Sequence, residues 1–185
     1  MPAKEVVTRE KILQAAKELL RGRGIEAVNA RGVAKSLNCS TQPIYRVFGD
    51  MDGLKAELKT LARQAHADEV AALLESGACK PYEAYGLGFV RFAREEKNLF
   101  RLLYAGARQG RTDIEDVNLS DIIATMRAEY GYDERTARAF HADMAIYSYG
   151  LAFLVNTDYA PLDDEEIIVR LKTEFAALSK IYGGG

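Results

Sequence analysis

Tryptophan is absent, and only two cysteines, two histidines and four prolines occur in 185 residues. Cys39 and Cys79 stand far apart with no CxxC spacing, which excludes a disulfide scaffold and a cysteine-rich zinc module. His66 and His141 have no second ligand at HExxH-like spacing, neither cysteine sits in a nucleophile motif, and no glycine-rich phosphate loop occurs. Nothing nominates a catalytic side chain, a metal ion or a cofactor, so the chain reads as a non-enzyme. No apolar run approaches the roughly 20 residues needed to cross a bilayer. The opening MPAKEVVTREK lacks the apolar stretch and small-residue cleavage site of a secretory signal. A cytoplasmic protein with no membrane partner is expected.

What is present is ample core material. Hydrophobic residues make up 48% and charged residues 28% of the chain, which excludes disordered, collagen-like and low-complexity classes. The net charge of -2 conceals an asymmetry: residues 1–55 hold ten Lys/Arg against six Asp/Glu, a balance of +4 that leaves -6 for the rest. A basic head on an acidic body points to a polyanion as the partner of the head.

Periodicity reads as helix almost throughout and predicts an all-α fold. Ile12, Leu13, Ala16, Leu19 and Leu20 form one apolar stripe, with Thr8 as N-cap and Gly24 as stop. A second helix at about 30–37 starts on Asn29 and turns Val33, Ala34 and Leu37 inward. Asn38-Cys39-Ser40 is a polar turn before a third helix at about 41–47, and Ser40 as its N-cap would set Pro43 at N3, where a missing N–H costs no intrahelical bond. A long fourth helix runs from about 51 to 74 on an Asp50 cap. Others are predicted at about 81–95, 98–107, 115–130, 133–156 and 163–182. Gly110 to Asp113 reads as a loop, Thr157 to Asp163 as a hairpin connection, and Gly183 to Gly185 as a frayed end.

Two short helices joined by a three-residue turn, behind a packing helix in the basic part of the chain, form a helix-turn-helix signature. The second short helix is narrow enough for the major groove, and its polar N-terminal face can meet base edges and phosphates. The stretch Thr8-Arg9, Ile12-Leu13, Ala16, Leu19-Leu20, Gly24, Val33-Ala34, Ser40, Ile44-Tyr45-Arg46, Phe48 and Leu54 resembles the DNA-binding domain of the TetR family of transcriptional regulators. The resemblance covers about the first 55 residues. It implies a three-helix DNA-binding domain over 1–55 and a helical ligand-binding and dimerisation domain over 56–185. It also implies that Ser40, Thr41, Gln42, Tyr45 and Arg46 face double-stranded operator DNA while Ile44 and Phe48 face the core. By residue chemistry Gln42 suits base readout, and Arg46 suits phosphate or guanine. Thr8, Ser40 and Tyr45 suit phosphate positioning, with further contacts from Arg9, Arg31 and Lys55. Two positions depart from the family pattern: Val47 and Met51 stand where His and Lys near phosphates are common.

In the body, Phe140, Met144, Tyr147, Leu151 and Leu154 step by four and three, as do Ile168, Leu171, Phe175, Leu178 and Tyr182. These heptad-like seams predict a helical hairpin that pairs with its copy into a four-helix homodimer interface, with Gly150 allowing close approach. Phe89, Phe92, Phe100, Leu103, Tyr104, Met126, Tyr130 and Tyr147 are the candidate lining of a pocket for a largely apolar or aromatic small-molecule effector. The reading is a ligand-responsive homodimeric repressor released from a palindromic operator. Its rival is a helical protein-interaction dimer with a degenerate head, and a steep salt dependence of DNA binding separates the two.

Overall fold

The computed structural model describes residues 7–105 and 118–183. Among them are nine α-helices and no strand: α1 (Arg9–Arg23), α2 (Ala30–Ser36), α3 (Gln42–Phe48), α4 (Met51–Ser76), α5 (Pro81–Glu95), α6 (Lys97–Tyr104), α7 (Leu119–Tyr130), α8 (Glu134–Asn156) and α9 (Asp164–Tyr182). The expected all-α fold is found. The sixth helix ends at Tyr104, short of the expected 107, and the expected loop at Gly110 to Asp113 lies outside the described residues.

The helix ends follow local chemistry. The Thr8 hydroxyl accepts from the Lys11 amide at 3.3 Å, and Gly24 ends α1 at φ 79°. Asn29 Oδ1 accepts from the Gly32 amide at 2.9 Å, and Asp50 Oδ1 from the Gly53 amide at 2.8 Å. Asp163 and Glu166 form a reciprocal capping box that opens α9, where three acidic residues in the first turn suit the helix dipole.

The chain divides into two compact units. One holds α1, α2, α3, the first half of α4, and α6; the other holds the second half of α4, α5, and α7 to α9. In the first, the head, Ile12, Leu20, Val33, Ile44, Leu54 and Leu58 are fully buried. Helix α6 belongs here because it packs on α1. Arg21 Nε donates to Glu96 Oε2 at 2.9 Å, and Asn98 Nδ2 donates to the Arg21 carbonyl at 2.8 Å.

In the second unit, the body, α5 packs against α7, α8 and α9. It also passes the second half of α4 at backbone distance. A Cβ on Gly88 would stand 2.7 Å from Val70 Cγ2 and 3.3 Å from Val70 Cα. Gly88→Ala is therefore expected to destabilise the body by about 1–3 kcal/mol through overpacking, a loss larger than alanine's gain of about 1 kcal/mol in helix propensity. Denaturant midpoints check this, and a stabilised variant would contradict it.

Charge closes one end of the body. Arg91 Nε donates to Asp164 Oδ2 and Arg94 Nη2 to Asp164 Oδ1, each at 2.9 Å, while Arg94 Nη1 donates to the Leu162 carbonyl at 3.1 Å. The Arg91 hydrogen bond is the main cause holding the Asp164 carboxyl below its ordinary value, with Arg94 adding to it and burial opposing. A depressed folded pKa contributes stability above the unfolded value of about 3.9 that is lost as pH falls through the folded one. Acid unfolding below pH 4 is expected to be less steep in Asp164→Asn, as circular dichroism at stepped pH will show.

Candidate functional site

On the head, Gln42, Tyr45 and Arg46 are all exposed, and their spacing of three and four sets them on one face of α3. Ile44, fully buried, anchors the opposite face. Asn38 takes a left-handed φ of 49° in the turn between α2 and α3, and Ser40 is exposed beside it. Arg31 on α2 is exposed as well. Neither Arg31 nor Arg46 makes an ion pair among the described residues, so two cations stand ready for an outside anion.

Three sequence expectations change at this surface. Ser40 does not cap α3: the N-cap position is Thr41, whose side chain makes no capping bond, and Pro43 sits at N2 rather than N3. Proline there removes an amide that a helix leaves unbonded anyway, so the missing cap costs little. Arg9 is already engaged inside the head, ion-paired to Glu57 with its guanidinium 5.5 Å over the Phe48 ring. Phe48 is accordingly half-buried under that cation instead of lying deep in the core. Thr8 spends its hydroxyl oxygen on the α1 cap, and Thr41 and Lys55 are half-buried at the edge of the exposed face.

The body encloses a cavity of about 120 Å³. Tyr82, Tyr85 and Phe89 from α5, Tyr130 from α7, Tyr149 from α8 and Phe175 from α9 supply its rings. Tyr82 Oη lies 3.3 Å from His141 Nδ1. Burial is the main cause raising the Tyr130 phenol above its ordinary value, with Glu129 and Glu83 adding to it. At the mouth the Glu83 carboxylate is 3.4 Å from Lys172 Nζ and accepts from the Lys80 amide at 3.4 Å.

Of the expected pocket lining, only Phe89 and Tyr130 border this cavity. Phe92 is core, stacked on the buried His66 ring with centroids 5.2 Å apart, and Met126 is fully buried. Phe100, Leu103 and Tyr104 lie on α6 and so belong to the head. Tyr147 is half-buried away from the cavity. The missed lining had a signal: His141, Ala145 and Ser148 step by four and three along α8, a stripe of small and polar residues on a buried face.

Half of the residues of the expected seams turn inward in the protomer. Phe140, Met144, Leu151, Leu171 and Leu178 are buried inside the protomer, and Tyr147, Leu154, Ile168, Phe175 and Tyr182 are half-buried. The richest apolar stripe of each helix goes to the body's own core. What remains outside is a second stripe: Ile146, Gly150 and Phe153 on α8, with Val169 and Ile181 on α9. Ile146 and Phe153 are 63% and 64% exposed. A Cβ on Gly150 would meet nothing within 4 Å.

A helix-turn-helix head with an exposed recognition helix, carried with a helical body that encloses a cavity, defines the class of regulatory DNA-binding folds. Residues 12–58 match the bacterial regulatory proteins of the tetR family. The similarity to that family lies in the head. The HTH-type transcriptional regulator AlkX of Mycobacterium tuberculosis (strain ATCC 25618 / H37Rv) is 31% identical over 93 residues, which cover 50% of this chain and 44% of that protein. The match thus spans less than half the length of this curated relative. Among the described residues no helix is long and apolar enough to cross a membrane, and no three His, Cys, Asp or Glu side chains gather as a metal-holding group.

Proposed function

We propose that this chain is a homodimeric transcriptional regulator, a repressor that reads a palindromic operator with α3 and is released when a small molecule enters the body cavity. The exposed face of α3, with Gln42, Tyr45 and Arg46 standing over the buried Ile44, carries the DNA-reading part. Gln42 offers an amide that can pair bidentately with adenine, and Arg46 and Arg31 offer cations to phosphate. The cavity supports the effector part, and the outward stripe through Ile146, Gly150 and Phe153 supports the dimer. Release is a population shift, driven by the effector's differential affinity for the operator-incompetent arrangement.

Selection from random duplex DNA at near-physiological salt tests this directly, and an enriched inverted repeat is the expected result. A folded, dimeric sample that enriches nothing would overturn it in favour of a protein-interaction dimer, to which the half-buried Val47 and Met51 at two family phosphate positions would then testify. On the selected site, Gln42→Ala is expected to lose about 1–3 kcal/mol of discrimination at one base pair of each half-site. Arg46→Ala is expected to weaken all sequences alike and to flatten the salt slope by about one. Loss confined to a single G·C pair would reassign Arg46 to base reading.

A further inference from the structure

The dimensions of the body cavity restrict its occupant. At about 120 Å³ it is slightly smaller than the roughly 150 Å³ site that holds one benzene. A volume of this size suits a single ring better than a fused bicycle. The walls are rings on several sides, contributed by α5, α7, α8 and α9, and Tyr82, Phe89, Met144 and Leu171 are each more than nine-tenths buried. Such a lining favours an aromatic guest through stacked and edge-on contacts.

The polar chemistry narrows it further. The Tyr82 hydroxyl and His141 Nδ1 meet at 3.3 Å in the cavity wall, a neutral polar pair among the rings. Which partner carries the proton depends on the imidazole tautomer. A ligand hydroxyl can answer either state because it both donates and accepts, whereas a carboxylate only accepts and an ammonium only donates. Charge argues the same way. Glu83 is held by Lys172 and the Lys80 amide, so no ligand cation is needed to neutralise it, and two lysines at the mouth oppose one. The carboxylate already present at Glu83 and the Tyr130 phenol, raised chiefly by burial, mark a lining that disfavours another anion.

We propose that the cavity takes a neutral single-ring phenol, its hydroxyl on the Tyr82–His141 pair and its ring among Tyr85, Phe89, Tyr149 and Phe175. This rests on the reading of the cavity as the effector site. Calorimetric titration of the full chain without DNA tests it, with phenol, toluene, benzoate, benzyltrimethylammonium and 2-naphthol as probes. Phenol is expected to bind, toluene about fivefold to tenfold more weakly, and the other three more weakly still. Tyr82→Phe is expected to remove the phenol advantage while leaving toluene unchanged. Ser148→Leu, which fills the cavity, is expected to abolish both; Ala145→Val serves in its place if that variant does not fold. Tighter binding of benzoate, benzyltrimethylammonium or 2-naphthol than of phenol would overturn the proposal, as would equal losses of phenol and toluene in Tyr82→Phe. Operator release is read separately. Phenol binding without release would leave the ligand assignment standing and overturn the effector reading. Release by a charged or bicyclic probe without phenol binding would do the reverse.

Discussion

Replacing Phe140 by alanine is expected to lower the stability of the body by about 3–5 kcal/mol. The ring is fully buried, with Phe175 at 4.9 Å, Tyr132 and Tyr182 at 5.5 Å and Tyr82 at 6.1 Å between centroids. Truncation leaves a void bounded by four other rings, from α5, α9 and the connection between α7 and α8, so the surroundings can collapse only in part. Edge-on and tilted aromatic pairs add about 0.5–1.5 kcal/mol each beyond area burial. Urea unfolding followed by circular dichroism at a series of protein concentrations is the measurement. A residue of a dimer seam would instead give a loss that disappears as protein concentration rises. A concentration-independent loss identifies Phe140 as core, and a loss below about 1 kcal/mol would refute that assignment.

Phe153→Asp is expected to do the opposite, dissociating the proposed dimer while the protomer stays folded. The side chain is 64% exposed in the protomer, so the substitution removes no internal packing. An aromatic anchor at the centre of an interface is worth about 2 kcal/mol or more, and a two-fold axis applies the change twice. About 4 kcal/mol follows, near a thousandfold in the dimer dissociation constant. Sedimentation equilibrium reads the mass, and circular dichroism reads the fold. Operator affinity is expected to fall with dimerisation, because two half-sites then need two independent binding events. Tyr159→Asp is the control, since Tyr159 is 81% exposed in the turn after α8, off the stripe. Equal dissociation by both variants, or none by Phe153→Asp, would refute this face.

These two residues mark where sequence was legible and where it was not. Helix ends were readable because caps are local: Thr8, Asn29 and Asp50 each act on an amide three residues away. The α3 face was readable for a similar reason, since Gln42, Tyr45 and Arg46 share a side of one helix whatever surrounds it. Period alone could not say which partner a stripe meets. The step of four and three through Phe140, Met144, Tyr147 and Leu151 is the same whether the neighbour is α5 of the same chain or a second copy. In the protomer the richer stripe turns inward, and the sparser one through Ile146 and Phe153 stays exposed. The cavity is hard to read from the sequence for a further reason. Aromatic content marks a pocket poorly when the same rings also make the core, as Phe92 and Met126 do. The stripe of His141, Ala145 and Ser148 along α8 was the better sign, because small and polar residues on a buried face leave room.

Helix α6 gives the head an order of assembly. Its residues join the head only after the chain has gone through the whole of α5, and the contact between Arg21 and Glu96 closes a loop of 75 residues. On a ribosome adding about 5–20 residues per second, α1 emerges several seconds before the helix that covers it. Closing so long a loop carries an entropy cost that grows only slowly with length. The delay is therefore mainly one of synthesis, and nascent α1 to α3 remain an incomplete domain until α5 and α6 have been made. A fragment cut after residue 63 would keep Gln42, Tyr45 and Arg46 and still lack Leu99, Glu96 and Asn98. Protease sensitivity of such a fragment, against resistance of the same residues in the whole chain, would be the mark of a reading head finished only after part of the body has been translated.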